Sequence, residues 1–347
     1  MRDSRSSWSF SRYRGIALSR EQAENRAEIF FGRTGNMDGG DGRSEQIRDR
    51  KTHIIAVGNQ KGGVGKTTNA VHMAAALGET GRKCLIIDLD MNQGATRHLG
   101  VPSNSFLGSY EVLIGEEQPL DVVITNGDED LELPKNVDLI PASRKLENTE
   151  QALHQKSKFI VEQNVLIQPL RSLEGKYDYI FLDTAPNANV PTIAAYKAAR
   201  WFILAAMPDP LAITGLNDAL VDIQDAQQNG NPKLEILGVI LSGVDGRRTR
   251  LASQLIAYVD RTFRFDDGSP AKFESSISRS VVVHEAQKEG KTLFETHPQH
   301  KLCEQYRELA REIETRLGVV PAAQAKRTKA AANTDGEEMA EEAVGNG

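Results

Sequence analysis

Six short apolar runs recur along the chain at 53–58, 83–89, 137–140, 177–183, 200–206 and 234–241, separated by stretches of helical spacing. Cys84-Leu85-Ile86-Ile87 and Tyr179-Ile180-Phe181-Leu182 are apolar at every position. A strand with one wet face alternates, so these two predict strands covered on both faces. Alternating strand and helix patterns predict β-α-β units, hence an α/β protein with a mostly parallel twisted sheet and helices on both faces. A helix is predicted from Asn69 through Leu77. In a late helix, Leu302, Tyr306, Leu309, Ile313 and Leu317 recur at steps of three to four, a stripe read as core packing.

The pattern fades at both ends. Residues 51–318 read as a single core domain. Residues 1–50 are polar and rich in Arg, Ser and Gly, with a short possible helix at 18–31. They read as a disordered arm or, because seven arginines precede Met37, as a basic partner-binding arm. Met37 is also a candidate start. Residues 319–347 are rich in Ala, Lys and Glu, lack aromatics, and are predicted to be disordered.

Composition narrows the function classes. The chain has 347 residues, 39% of them hydrophobic, enough for one large core. No apolar run approaches the roughly 20 residues of a membrane span, and no secretory apolar region opens the chain, so a cytoplasmic protein is expected. Cys84 and Cys303 form no C-x-x-C pair and read as packed thiols. The seven histidines show no metal-ligand spacing. A net charge of −6 argues against a protein basic all over, though not against a local basic face.

The chemistry concentrates after the first predicted strand. Lys61-Gly62-Gly63-Val64-Gly65-Lys66-Thr67-Thr68 joins that strand to the first helix. Glycines there let backbone N–H groups turn inward, and the helix start adds partial positive charge, which together cradle phosphate. Lys66 is placed to reach the β- and γ-phosphates and the Thr67 hydroxyl to hold Mg²⁺. The general motif G-x-x-x-x-G-K-[ST] fails by one letter, because Gln60 stands at its first glycine. Tyr177 to Asp183 reads as an apolar strand ending in a carboxylate, the form that holds Mg²⁺ through water in phosphoryl-transfer sites. Asp88, Asp90, Asp183 and the glycine loop all fall at predicted carboxyl ends of strands, where open α/β sheets bind ligands.

The K-G-G-x-G-K-T arrangement resembles the deviant Walker A box of the ParA/MinD family of dimerising P-loop NTPases. The likeness continues through Asp88-Leu89-Asp90-Met91-Asn92-Gln93-Gly94-Ala95-Thr96, with Met91 where the family has proline. Further along, Asp209 to Leu216 and Gly243 to Arg250 resemble other family segments. The resemblance implies an ATPase using ATP and Mg²⁺, active as a homodimer. By it Lys61 crosses to the partner's nucleotide, Asp90 orients the attacking water, and Asp88 supports the magnesium network. No N-K-x-D guanine-reading motif is present.

The same resemblance implies non-specific double-stranded DNA as a ligand and a ParB-like protein as the stimulating partner. Residues 244–264 carry five arginines against two aspartates, a local charge of +3. Arg247, Arg248, Arg250 and Arg279 are the candidate DNA contacts, and Arg250, Arg261 and Arg264 are spaced to share a helix face. An ordinary solvated face is the competing reading of these arginines. The family's second arginine after Arg279 is Val282 here. A MinD-like regulator acting on a membrane or another cargo is the alternative function. The late apolar helix is followed by a long polar tail rather than ending in a basic amphipathic anchor, so no stable membrane association is expected. Iron–sulfur carrier relatives need placed cysteines that this chain lacks.

Overall fold

The computed structural model describes residues 51–156, 164–244 and 249–319. The expectations for residues 1–50 and for the tail beyond 319 fall outside these, as do Arg247 and Arg248. Six strands form where the apolar runs predict them: β1 His53–Gly58, β2 Cys84–Asp88, β3 Val137–Ile140, β4 Tyr179–Asp183, β5 Trp201–Ala206 and β6 Glu235–Leu241. They make one sheet in the order β3-β2-β4-β1-β5-β6, and every pairing is parallel.

Side chains on a strand alternate between faces, so a continuously apolar strand feeds two cores. In β4, Tyr179 and Phe181 join one buried cluster, while Ile180 and Leu182 join the other. The first core is closed by α1 (Lys66–Glu79), the short α2 (Gly94–His98) and, at the end of the described chain, α9 (Val282–Lys288), α10 (Leu293–Thr296) and α11 (Lys301–Arg316). The second is closed by α6 (Val190–Ala198), α7 (Ala212–Gln228) and α8 (Arg250–Thr262). Smaller helices α3 (Ser109–Leu113), α4 (Thr149–Lys156) and α5 (Ile167–Arg171) fill the connections.

Leu302, Tyr306, Leu309 and Ile313 of α11 are fully buried, so the stripe packs in the core, as its spacing predicts. Among the described residues no helix is long and apolar enough to cross a membrane. The β6 edge is paired by an extended segment: Val239 N donates to Ala271 O, Phe273 N to Val239 O, and Ile277 N to Leu241 O. That covers a row of backbone groups otherwise open to a foreign strand.

A candidate nucleotide and metal site at the carboxyl edge

β1, β2, β4 and β6 deliver the loops of the site to one edge of the sheet. After β1 the chain turns through Gly63 (φ 73°) and Gly65 (φ 91°), and Gly65 is the residue before α1. Both lie in left-handed backbone that a Cβ makes costly. No side chain caps α1, so its first N–H groups have no side-chain acceptor and point from the positive end of the helix.

Lys66 is buried, and its Nζ donates to Lys61 O at 3.0 Å. Burial lowers its pKa, with Asp183 and then Asp90 pulling back toward the charged form. Lys61 is partly exposed, its ammonium paired with Asp209. That hydrogen bond, with Leu211 N at 2.8 Å, holds the Asp209 carboxyl below the usual carboxylate range. Lys61 N donates to Asn59 Oδ1 at 2.8 Å, and Asn59 is tied to Ala205 O of β5.

Below the loop, Asp88 and Asp183 stand opposite each other on neighbouring β2 and β4. Both are fully buried. Asp88 accepts from Thr96 N (2.9 Å), Thr96 Oγ1 (2.8 Å) and Asp90 N (3.1 Å). Burial outweighs those donors and pushes its pKa up to about 6. Asp183 differs. Neither of its carboxylate oxygens has a hydrogen-bond partner, and burial, then the charge of Asp88, drive its pKa well up. Thr67 eases that charge without closing a hydrogen bond.

An orphaned buried carboxylate is expensive and marks a place where a cation fits. Mg²⁺ prefers one or two carboxylates and keeps several waters, and Asp183 beside Thr67 meets that need. Among the described residues no group of three or more His, Cys, Asp or Glu side chains is gathered as a full metal cage. Asp90 is partly exposed, and its Oδ1 accepts from Asn92 N and Nδ2, both at 2.9 Å. Gly94 lets α2 pass against the loop, since a Cβ there would lie 2.9 Å from Thr67 Oγ1.

Gly62, Gly63, Gly65, Lys66, Thr67, Thr68 and Asp90 line one cavity of about 970 Å³. Lys61 and Val64 of the loop do not line it, and Val64 is 2% exposed and packed into the core. Arg279 lines the same cavity. Arg250 is exposed at the start of α8, and Arg261 in its last turn. Arg264 departs from the expected helical row: α8 ends at Thr262, and the Arg264 guanidinium turns back to Gly268 O at 2.7 Å.

Sequence reasoning missed the buried polar knot behind the loop. Asn69 Nδ2 donates to Ser242 Oγ (3.0 Å), and Tyr306 OH donates to Asn69 Oδ1 (3.0 Å). It joins α1, β6 and α11 across more than 200 residues of chain, so no local pattern announces it.

Comparison with known proteins agrees with this geometry. The family profile described as an AAA domain matches residues 52–236. The chain is similar to the chromosome-partitioning ATPase Soj of Thermus thermophilus, 33% identical over 267 residues, covering 77% of this chain and 97% of the relative. It is also similar to the chromosome partitioning protein ParA of Caulobacter vibrioides, 31% identical over 264 residues, covering 76% and 94%. Among solved structures, cobyrinic acid a,c-diamide synthase of Mycobacterium smegmatis with bound ATP analog and magnesium superposes with a TM-score of 0.60 at 29% identity, covering 75% of this chain and 93% of that one.

Proposed function

The chain belongs to the ParA family of P-loop ATPases, and from that premise we propose that it is an ATP-dependent dimerising switch for DNA segregation. One observation carries the reading. The glycine loop, Lys66, Thr67 and Asp90 line a single cavity, and of these Lys66 and Thr67 act on the buried, unpartnered carboxylate of Asp183. Backbone N–H groups of Gly62 to Thr68 would bind the phosphates, and Lys66 would reach the β- and γ-oxygens. Thr67 and Asp183 would hold Mg²⁺, with Asp88 fixed by Thr96 in support; the ion would neutralise charge that develops on the phosphates. Asp90, its carboxylate held by Asn92, would orient the attacking water.

Lys61 takes part once a second copy is present. Its ammonium pairs with Asp209 in the isolated protomer. Crossing to the partner's nucleotide exchanges that carboxylate for phosphate, which ties dimerisation to the ATP state. Differential binding of nucleotide to monomer and dimer is what makes such a switch. Arg247, Arg248 and Arg250, which follow β6 in the sequence, would contact DNA phosphates without reading bases. A ParB-like protein would stimulate hydrolysis and release, in a cytoplasmic protein that joins the nucleoid when ATP-bound.

The test is binding to non-specific duplex DNA with ATP, with ADP and without nucleotide, at two salt concentrations. Binding is expected only with ATP, weakened by salt, and lost in Lys66→Ala and Arg248→Ala. ATP-independent DNA binding, or none despite ATP-driven dimerisation, would count against the segregation role.

A further inference from the structure

Because every pairing in the sheet is parallel, the amino ends of all six strands share the edge opposite the nucleotide cavity. Each strand is entered through a lysine or arginine within three residues of its start. In spatial order these are Lys135, Lys83, Lys176, Lys51, Arg200 and Lys233. Backbone hydrogen bonds tie the entries side by side. Cys84 N donates to Asn136 O, Asp178 N to Lys83 O, His53 N to Asp178 O, Arg200 N to Ile54 O and Glu235 N to Arg200 O. Neighbouring strands lie about 4.8 Å apart, so the row is about 24 Å long. That spacing is shorter than the Debye length of about 8 Å at physiological salt, so salt does not fully screen one entry from the next.

The carboxylates along this edge are mostly engaged. Glu235 pairs with Arg200 at 2.6 Å, and Glu314 with Arg82 at 2.7 Å. Asp178 accepts from Lys83 N at 2.8 Å, and Asp138 from Tyr177 OH at 2.8 Å. Glu174 adds one exposed carboxylate close to Lys176 in the chain. The five lysines of the row are exposed, and none of their ammonium groups has a salt bridge or hydrogen bond among the described residues. The last turn of α11 lies at this same edge, through Glu314 and Arg82. Val319, whose N donates to Glu314 O at 2.9 Å, is the last described residue. The sequence beyond it is first basic, with Lys326, Arg327 and Lys329, and then acidic. Asp335, Glu337, Glu338, Glu341 and Glu342 follow, with no lysine or arginine from 335 to the end.

We propose that residues 335–342 dock in cis across the lysine row at the amino edge of the sheet. Length and charge both fit. Eight extended residues span about 26 Å, close to the length of the row, and the 15 residues from 320 to 334 reach about 50 Å. Five carboxylates meet five lysines that lack partners, so the contact relieves repulsion within the row as well as adding attraction. The docked segment covers a surface that otherwise draws any polyanion, and it leaves the nucleotide cavity at the other edge open.

Zero-length carbodiimide cross-linking of the nucleotide-free full chain, mapped by mass spectrometry, tests the contact. Isopeptide bonds are expected from the carboxylates of residues 335–342 to Lys51, Lys83, Lys135, Lys176 and Lys233. They should fade at about 1 M salt, where the Debye length falls to about 3 Å. An equal mixture of isotope-labelled and unlabelled protein separates the tail's own chain from a second copy. Bonds joining labelled to unlabelled peptides overturn docking in cis, and so do bonds to other lysines only, or none. The second readout is binding of a heparin hexasaccharide at low salt. Neutralising the tail with Asp335→Asn, Glu337→Gln, Glu338→Gln, Glu341→Gln and Glu342→Gln should tighten it about tenfold, the scale of a few exposed ion pairs. That gain should vanish when Lys83→Gln, Lys135→Gln and Lys176→Gln are added. Affinity unchanged by the neutral tail refutes the proposal, as does a gain that survives the lysine changes.

Discussion

His72 is fully buried on α1, and both its ring nitrogens are engaged. Nδ1 donates to Thr68 O at 2.8 Å, and Nε2 accepts from Leu293 N at 3.2 Å. Only the neutral ring with its proton on Nδ1 satisfies both. The ring stacks on Tyr306 at 4.9 Å and meets His98 edge-on at 5.2 Å, and no carboxylate is among these contacts. Burial accordingly lowers its pKa to about 4, from 6.5. Between those values the unfolded chain binds a proton that the folded chain refuses. The stabilisation is therefore complete above pH 6.5 and is lost progressively as pH falls toward 4, a total of about 3 kcal/mol. Urea unfolding of the nucleotide-free protein at pH 7 and pH 5 checks this. His72→Gln keeps a donor and an acceptor without the titration, so its stability should fall by about 2 kcal/mol less over that interval. Equal losses in the two proteins would refute it.

At the scale of the element, α1 serves two masters. Its N-terminus needs glycine for a left-handed approach, and its far end needs glycine for space. A Cβ at Gly78 would lie 2.3 Å from Lys135 O and 3.2 Å from Val137 Cγ2, at the entry to β3. Asn136 Nδ2 also donates to Gly78 O at 2.9 Å, locking helix and connection together. In an exposed helix, Gly→Ala gains about 1 kcal/mol. Here a backbone carbonyl cannot swing aside as a side-chain tip can, so Gly78→Ala is expected to cost about 2 kcal/mol. Chemical unfolding decides the sign, and a stabilised variant would mean that α1 is not clamped against β3. The start of this helix was legible in the sequence, because positive φ and phosphate chemistry both demand glycine locally. The clamp at Gly78 was not, since its partner lies 57 residues away.

For the whole molecule, the proposed dimer competes with a contact inside one protomer. Lys61 and Asp209 are partly exposed, at 23% and 39%, so water screens the pair and its hold is modest. Asp209→Asn should raise the dimer fraction at limiting ATP about threefold, the scale of a lost exposed ion pair. Lys61→Ala should stay monomeric with ATP. Sedimentation of the two variants beside wild type reads both effects. An Asp209→Asn dimer fraction equal to wild type would show that the protomer contact does not oppose assembly.

The strands, their burial on two faces and the phosphate loop were set by the sequence alone, because each depends on neighbours a few residues apart. Apolar runs such as Tyr179 to Leu182 needed no partner to be recognised, and a glycine before Lys66 states its own backbone demand. Strand order is another matter. It placed Asp183 beside Asp88, 95 residues earlier, and left Asp183 without a hydrogen bond while Thr96 satisfied its neighbour. It also brought Ser242 and Tyr306 onto Asn69, turned Lys61 toward Asp209 and set Arg279 in the lining of the cavity that the glycine loop borders. Whether a buried charge is paired, and which cavity a surface arginine borders, depends on contacts between distant segments, and these exist only once the sheet is assembled.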